Sequence, residues 1–268
     1  MARHVEIIFV RHGDKGKNPE LPDPEFLTEK GWDQARELGK KIGNKIKTGF
    51  VSSKRTRARD TARGIIQGMG LPANTKVHEW FTFDYNKPPR THQFGEDFDA
   101  HHMKHGGTEA VNKWMRGEFD PKQGATPEQV GVLMAKPLRL AYKLSQGKGE
   151  PVRFVVVSHG GSNVESAFYA LTGVNPARVG KTKGMFGLAE PFRLIMNGAT
   201  MSVHFRGKRF KVQRAIMPVL KAPSRKHPVH EEVIKQLIER RKRLLEKEKQ
   251  EKLFQLKHVS KKRKRRRH

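Results

Sequence analysis

The stretch that decides the fold is VEIIFV at residues 5–10, followed directly by RHG at residues 11–13. A run of β-branched and aromatic residues is typical of a buried strand. A second stretch with the same pattern, an apolar run followed by His-Gly, lies far downstream, where residues 154–161 read FVVVSHGG. Open α/β sheets bind their ligands at the carboxyl ends of such strands. The two copies therefore predict that His12 and His159 meet over one anion.

Two further segments carry helix-starting patterns between those strands. Residues 27–35 read LTEKGWDQA, and residues 52–62 read SSKRTRARDTA. Together with the two His-Gly strand ends they resemble the histidine phosphatase superfamily, which includes the cofactor-dependent phosphoglycerate mutases. The pattern of that family is RHG, LTxxGxxQA, SSxxxRAxxTA and a later strand that ends in HG. All four elements occur in order, the resemblance covers residues 4–215, and four ordered matches are far more specific than any one motif.

Strand and helix patterns alternate along the chain, which predicts an α/β fold: a three-layer α/β/α sandwich with a mostly parallel sheet. The apolar periodicity and the cap residues predict helices from Thr28, from Ser53 or Thr56, and over residues 108–116, 127–145 and 163–171. Besides residues 4–10 and 154–158, strands are predicted at 50–52, 76–81, 193–197, 200–205 and 209–214.

Positive charge is concentrated at the carboxyl end of the chain. The whole sequence has a net charge of +28, and residues 221–268 contain 19 Lys and Arg against 6 Glu. Helix formers predict a basic helix over residues 231–257, whereas the block from Lys261 is too charged to bury apolar surface and is predicted to be disordered. We therefore divide the chain into a histidine phosphatase-like catalytic domain over residues 1–220 and a basic helical extension and tail over 221–268.

Composition excludes several classes of protein and of site. The absence of cysteine rules out a disulfide framework and a thiolate metal site. No apolar run approaches the length of a membrane span. The default expectation is a cytoplasmic protein, or a nuclear one if the source cell has a nucleus, because the terminal basic block resembles a nuclear-import signal. The large positive charge predicts affinity for polyanions.

The chemistry that the resemblance implies is phosphoryl transfer through a phosphohistidine. His12 stands where family members place the nucleophile, and a neutral imidazole is competent for that role. Arg11 and Arg57 are expected to hold the phosphoryl oxygens, because planar guanidinium groups bind such anions with two parallel hydrogen bonds. A solvated basic helix face is the alternative interpretation of Arg57.

Three more residues complete the predicted site. His159 is expected to donate to the phosphoryl group on the side opposite Arg57. Gly160 follows it and would let backbone N–H groups approach the anion closely. Asn18 matches the asparagine of an RHGxxxxN pattern and is expected to touch the phosphate.

The leaving alcohol needs a proton donor, and the family uses a carboxylate in the middle of the chain. Glu79 is the first choice, because residues 77–79 resemble the hydrophobe-x-Glu step that carries this acid. Family members continue with a G-x-W-E-G-like segment, whereas residues 81–86 read FTFDYN. That departure leaves Asp84 and Glu109 as alternatives for the acid, and an exposed strand carboxylate as the alternative interpretation of Glu79.

A histidine-rich stretch raises the question of a metal site, since His101 and His105 would lie one helical turn apart. No carboxylate or fourth ligand has a recognisable spacing, and the family chemistry needs no metal. We therefore expect a polar cap loop here, which also holds His92 and His102, and neither a metal nor a cofactor.

Three functions remain open after these observations. A phosphomonoester hydrolase is favoured over a phosphoglycerate mutase-type phosphotransferase, because only Arg90 stands in the region where the mutases have arginine-rich substrate contacts. The third function is that of a binding protein: a catalytically weak phosphatase-like scaffold that binds RNA, DNA or another polyanion through residues 240–268. The expected partners are thus a phosphorylated substrate and a polyanion on the tail.

Overall fold

A computed structural model describes residues 2–17, 25–80, 103–120, 124–161, 163–180, 185–223 and 229–265. Within them the strands are β1 (His4–Arg11), β2 (Lys47–Ser52), β3 (Val77–Glu79), β4 (Val152–Ser158), β5 (Pro191–Asn197), β6 (Thr200–Phe205) and β7 (Lys208–Lys211). They form a seven-stranded sheet in the order β3-β2-β4-β1-β5-β6-β7. Every strand that the sequence predicted is present, with bounds that shift by a few residues.

The sheet has a parallel half and an antiparallel half. Strands β3, β2, β4 and β1 pair in parallel, and β5, β6 and β7 continue from β1 as an antiparallel meander. The carboxyl ends of the four parallel strands therefore lie along one edge of the sheet, which is where a ligand is expected.

The helices are α1 (Glu29–Ile42), α2 (Thr56–Gly68), α3 (Gly107–Arg116), α4 (Pro127–Ala135), α5 (Leu138–Gln146), α6 (Asn163–Thr172), α7 (Met217–Lys221) and α8 (Val229–Arg265). The predicted single helix over 127–145 is wrong: the chain forms α4 and α5, which are separated by Lys136 and Pro137. Proline has no backbone N–H and its ring clashes with the preceding turn, so a helix stops before it.

Alternate residues of each strand face opposite helix layers, as the period of a strand requires. Ile8 and Val10 of β1 pack with α1 and α2 in one apolar cluster. Ile7 and Phe9 face a larger cluster that includes α4, α6 and the start of α8. These two cores on either side of one sheet confirm the three-layer α/β/α sandwich.

The long helix α8 begins inside the fold and then projects from it. Val233 and Leu237 are buried in the larger core, and Arg241 forms an ion pair with the buried carboxylate of Glu128 at 3.1 Å. Further along, Leu253 and Phe254 are more than half exposed.

Helix α8 also runs further than the sequence predicted. It continues to Arg265 rather than ending near residue 257, so residues 261–265 are helical where disorder was expected. Lys and Arg have high intrinsic helix propensity, and here that propensity outweighs the repulsion between them. The division at residue 220 stays a prediction. None of the helices within the described ranges is long and apolar enough to cross a membrane.

Candidate active site

Two imidazoles lie side by side at the carboxyl edge of the parallel strands. Strands β1 and β4 pair with Arg11 opposite Ser158, and the His12 amide donates to the Ser158 carbonyl at 2.9 Å. The next residues, His12 and His159, therefore occupy equivalent positions on neighbouring strands. Their ring centroids are 5.4 Å apart with planes inclined by 60°, and both side chains are buried. The structure thus brings together the two rings that the sequence singled out.

The LTxxGxxQA segment holds the loop that follows His12. The Gln34 side-chain carbonyl accepts from the Asp14 amide at 2.9 Å, and the Thr28 hydroxyl donates to the Asp14 carboxylate at 2.9 Å. A Cβ on Gly31 would lie 2.3 Å from the Asp14 carbonyl oxygen, and one on Gly13 would lie 2.8 Å from the Gly31 carbonyl oxygen. Both glycines are required because the two backbones touch. The motif therefore fixes the conformation of the loop that follows His12.

The SSxxxRAxxTA segment supports the same loop from helix α2. The Gly13 amide donates to the Thr61 hydroxyl at 3.0 Å, and that hydroxyl donates to the Arg57 carbonyl at 2.7 Å. Thr61 is fully buried. The residue after the predicted nucleophile is thus tied to the helix that carries a predicted phosphate-binding arginine.

Burial and hydrogen bonding keep His12 neutral with a free nucleophilic nitrogen. Nδ1–H donates to the Gly13 carbonyl at 2.8 Å, which fixes the tautomer with the lone pair on Nε2. Burial lowers the pKa of His12 to about 2, although the hydrogen bond to Gly13 opposes this shift; the neighbouring His159, Arg57 and Arg11 lower the pKa further. The ring is therefore uncharged over the whole physiological pH range.

His159 is oriented by both of its ring nitrogens. An Nη of Arg57 donates to Nδ1 at 3.2 Å, and Nε2 lies 2.8 Å from the Ser53 hydroxyl. Because a guanidinium group can only donate, Nδ1 is the acceptor and Nε2 carries the proton in this arrangement. Ser53 and Arg57 therefore set the ring plane that faces His12.

The two predicted phosphate-binding arginines are both held at the site. Arg57 is only 5% exposed, so the interpretation as a solvated helix face is wrong for this residue, and its second Nη forms an ion pair with Glu25. Arg11 donates to the Phe186 carbonyl at 2.5 Å. A Cβ at Gly160 would lie 2.4 Å from the Arg11 side chain, so that glycine gives Arg11 room to cross beside His159.

The two candidate proton donors within the described chain form ion pairs with arginines other than Arg11 and Arg57. Glu79 ends β3 at the same edge of the sheet, pairs with Arg59 at 3.3 Å and is more than a third exposed. Glu109 lies in the first turn of α3 and pairs with Arg116 at 3.0 Å. The other predictions, Asp84 and the phosphate contact of Asn18, lie outside the described residues, as do His92, His101 and His102.

Sequence reasoning missed several residues that shape this site. Ser53, Gln34 and Thr61 lie within the quoted motifs, so a signal for them was present. Glu25 and Glu165 carry no such signal, because the sequence around an isolated glutamate does not record what the fold places beside it. Glu25 forms an ion pair with Arg57, and Glu165 is fully buried in the first turn of α6, which follows His159.

The shifted pKa of His12 has a measurable effect on stability. Unfolded His12 takes up a proton below its ordinary pKa of 6.5, whereas the folded ring stays neutral down to about 2. The free energy of unfolding therefore decreases as the pH falls below 6.5, by up to about 1.4 kcal/mol per pH unit. We expect His12→Asn to remove this loss in urea unfolding between about pH 6 and 4. The same change at the exposed His78 is the control, and parallel pH curves for wild type and His12→Asn would contradict the argument.

Comparison with solved structures shows the same fold. A Bacillus anthracis phosphoglycerate mutase superposes with a TM-score of 0.51 at 18% identity, covering 82% of this chain and 97% of that chain. A mycobacterial hydrolase gives 0.52 at 20% identity, covering 84% and 100%. An Entamoeba histolytica phosphoserine phosphatase, solved with 3-phosphoglyceric acid, gives 0.50 at 20% identity, covering 78% of this chain and 98% of that chain. At these identities the likeness shows the fold alone.

The sequence itself also matches a family. Among curated proteins none matches the chain significantly. The family model of the histidine phosphatase superfamily (branch 1) matches residues 7–185, which is more than half of the chain and includes both imidazoles and both arginines. The chain therefore belongs to the histidine phosphatase superfamily.

Proposed function

We propose that this protein hydrolyses phosphomonoesters through a phosphohistidine intermediate on His12. The observation that carries the proposal is a neutral buried imidazole whose Nδ1 is bonded to a backbone carbonyl, beside a second imidazole and two arginines. A neutral ring with its lone pair on Nε2 can attack phosphorus without first losing a proton.

In the first step, Nε2 of His12 forms a bond to phosphorus while the bond from phosphorus to the ester oxygen breaks. Negative charge on the transferring oxygens is stabilised by Arg11 and Arg57, which the fold already holds in place. The Nε2–H of His159 adds to this when it exchanges the Ser53 hydroxyl for a phosphoryl oxygen. Donors that are ordered before the reaction need no reorganisation at the transition state. A carboxylic acid gives its proton to the departing alkoxide.

In the second step, water attacks the phosphohistidine. The carboxylate formed in the first step accepts the proton of that water, and inorganic phosphate leaves with His12 again neutral. Glu79 is our candidate for this acid and base, because it ends a parallel strand at the edge of the sheet that holds the imidazoles. Glu109 is the alternative within the described chain.

The nucleophile is tested by turnover of an aryl phosphate. We expect His12→Ala to lower kcat by at least about a thousandfold, because removal of a covalent nucleophile removes the pathway itself. The matched control is His78→Ala, which deletes an exposed imidazole from β3 and should leave kcat within about twofold of wild type. Equal activity of wild type and His12→Ala would remove the catalytic claim.

The proton donor is tested by changing the leaving group. A general acid matters most for a basic alkoxide and least for a stable aryloxide. We expect Glu79→Gln to lower kcat/KM for an alkyl phosphate by about 100-fold and for a nitrophenyl phosphate by less than about tenfold.

Glu109→Gln is the matched variant for that test and should show no dependence on the leaving group. The reverse pattern would assign the acid to Glu109. Equal losses for both esters in both variants would exclude both residues as donors.

Mutase-type phosphotransfer is the alternative for the same site. It shares the phosphoenzyme and differs in the acceptor, which is a substrate hydroxyl instead of water. Hydrolysis is favoured because the sequence offers only Arg90 where the mutases have arginine-rich contacts. Release of inorganic phosphate from a phosphoglycerate without formation of an isomer would support the hydrolase, and isomer formation would support the mutase.

The projecting part of α8 supports a second proposal, a polyanion partner. Residues 242–265 contain 11 Lys and Arg against 3 Glu, on a helix that is exposed at Leu253 and Phe254. Such a surface makes phosphate contacts that do not depend on sequence and that weaken steeply with salt. RNA, DNA and heparin are the partners that this charge fits. A cytoplasmic or nuclear location stays a prediction.

Truncation tests that proposal, and the cut must spare the core. Removal of residues 249–268 keeps Val233, Leu237 and Arg241, which belong to the packed part of α8. We expect this variant to elute from heparin at a lower salt concentration and to keep its turnover within about twofold. A full-length variant with Lys261→Gln, Lys262→Gln and Lys264→Gln removes positive charge without shortening the chain, so it shows whether a loss of binding comes from charge or from length. Unchanged elution of both variants would place the binding surface on the core.

A further inference from the structure

The short loop of residues 185–190, directly before β5, lies against the reactive edge of the sheet. The Phe186 carbonyl accepts a hydrogen bond from the Arg11 guanidinium at 2.5 Å. The Ala189 amide donates to the His12 carbonyl at 3.3 Å. The loop thus contacts both the proposed nucleophile and a proposed phosphate-binding arginine, although none of its side chains has a part in the chemistry described so far.

This loop is held by the side chain of Arg206, which lies between β6 and β7. The Arg206 guanidinium donates to both carboxylate oxygens of Glu190, from Nε at 2.8 Å and from one Nη at 2.9 Å. The same Nη donates to the Met185 carbonyl at 3.0 Å, and the other Nη donates to the Val179 carbonyl at 3.0 Å. Two-pronged bonds between a guanidinium and a carboxylate are strong and fix the geometry. Arg206 therefore joins the first and the last residue of the loop.

Two further contacts connect the middle of the loop to the same place. The Glu190 carboxylate also accepts from the Gly187 amide at 2.6 Å. The fully buried ring of Phe186 stacks on that of Phe205, with centroids 4.3 Å apart and planes inclined by 26°. Phe205 directly precedes Arg206 in the chain. The residue whose carbonyl holds Arg11 is thus fixed on both sides, by its own ring and by the bonded carboxylate.

The backbone of Arg206 indicates that its side chain is there for these contacts. Phe205 and Lys208 pair across β6 and β7, so Arg206 and Gly207 form a two-residue turn, with φ angles of 47° and 72°. Asn-Gly is the usual sequence for such a turn, because a positive φ is strained for a residue with a long side chain. The turn itself therefore does not explain an arginine at this position, whereas the bonds to the loop do.

We infer that Arg206 and Glu190 are a positioning pair, which acts through the loop of residues 185–190 to fix the Arg11 guanidinium beside the phosphoryl group. Neither side chain of the pair touches a reacting atom. A displacement of about 1 Å of a group that contacts the substrate can cost about 100-fold in rate. This inference rests on the proposed function, because it assigns Arg11 the phosphoryl oxygens as its target.

The kinetic test removes the guanidinium without straining the turn. Arg206→Asn suits a positive φ, so the hairpin should still form, and we expect kcat/KM for an aryl phosphate to fall by about 10- to 100-fold. Glu190→Gln keeps the shape of its side chain and weakens the same bonds, and should cause a loss of about three- to tenfold. Unchanged kcat/KM in Arg206→Asn would overturn the inference.

A double-mutant cycle shows whether the pair acts through Arg11. In the background of Arg11→Ala, the guanidinium that the loop positions is already gone. Arg206→Asn should then lower kcat/KM by less than about threefold. Equal costs of Arg206→Asn in the wild type and in the Arg11→Ala background would overturn the inference.

Arg153 provides the matched control at the opposite edge of the sheet. It pairs with Glu6 and donates to the Ile42 and Gly43 carbonyls at 3.3 and 3.1 Å, so it makes the same kinds of bond as Arg206. Lysine at either position keeps the charge and loses the fork. We expect Arg206→Lys to lower kcat/KM by at least about fivefold and Arg153→Lys to leave it within about twofold, well below the unfolding midpoint. Equal losses would overturn the inference.

A second readout, amide hydrogen exchange, does not need turnover. The amides of Gly187, Ala189 and Glu190 are all hydrogen-bonded in the loop. In a peptide that covers residues 185–190 they should exchange at least about tenfold faster in Arg206→Asn than in wild type or Arg153→Lys. Unchanged exchange in Arg206→Asn would overturn the inference. If wild type has no phosphatase activity, the proposed function fails, and this measurement still decides whether Arg206 holds the loop that contacts Arg11.

Discussion

The site depends on one constraint, the parallel register of β1 and β4. Because Arg11 lies opposite Ser158, the residues that follow them, His12 and His159, emerge at the same height on adjacent strands. A shift of one residue would send one of the rings to the other face of the sheet. Two imidazoles that are distant in the chain are thus placed 5.4 Å apart by backbone hydrogen bonds.

Around that pair, polar groups of the protein hold both rings in place. His12 is kept neutral by burial and by the positive groups near it, and its tautomer is chosen by a carbonyl one residue away. His159 is held by Ser53 and Arg57. The protein thus sets the orientation of both rings, and the proposed phosphoryl transfer would need no reorganisation of them at its transition state.

Helix α8 combines two environments in one element. Its first turns contribute Val233 and Leu237 to the larger core, and Arg241 compensates a carboxylate that would otherwise be buried alone. Its later turns are exposed at Leu253 and Phe254 and belong to a stretch rich in Lys and Arg. The change in composition near residue 221 thus marks a change in charge. It does not mark the end of the packed core, because Val233 and Leu237 belong to that core.

The sequence by itself determined the layers of the fold and the residues at its reactive edge. Apolar alternation over residues 5–10 and 154–157 identifies buried strands, and glycine and threonine within the family motifs are needed where backbones touch, as at Gly13 and Gly31. Those signals are local, because strand period, backbone contact and tautomer choice depend on near neighbours in the chain. These local signals were enough to identify His12, His159, Arg11 and Arg57 as candidate site residues.

Only the tertiary structure decided which charges compensate one another. Glu25 looks like any other glutamate in the sequence, and it pairs with Arg57, which another element brings to it. The same holds for Glu128 and Arg241, which are far apart in the chain. Burial and electrostatic pairing are properties of residues that meet in space, so no local pattern records them.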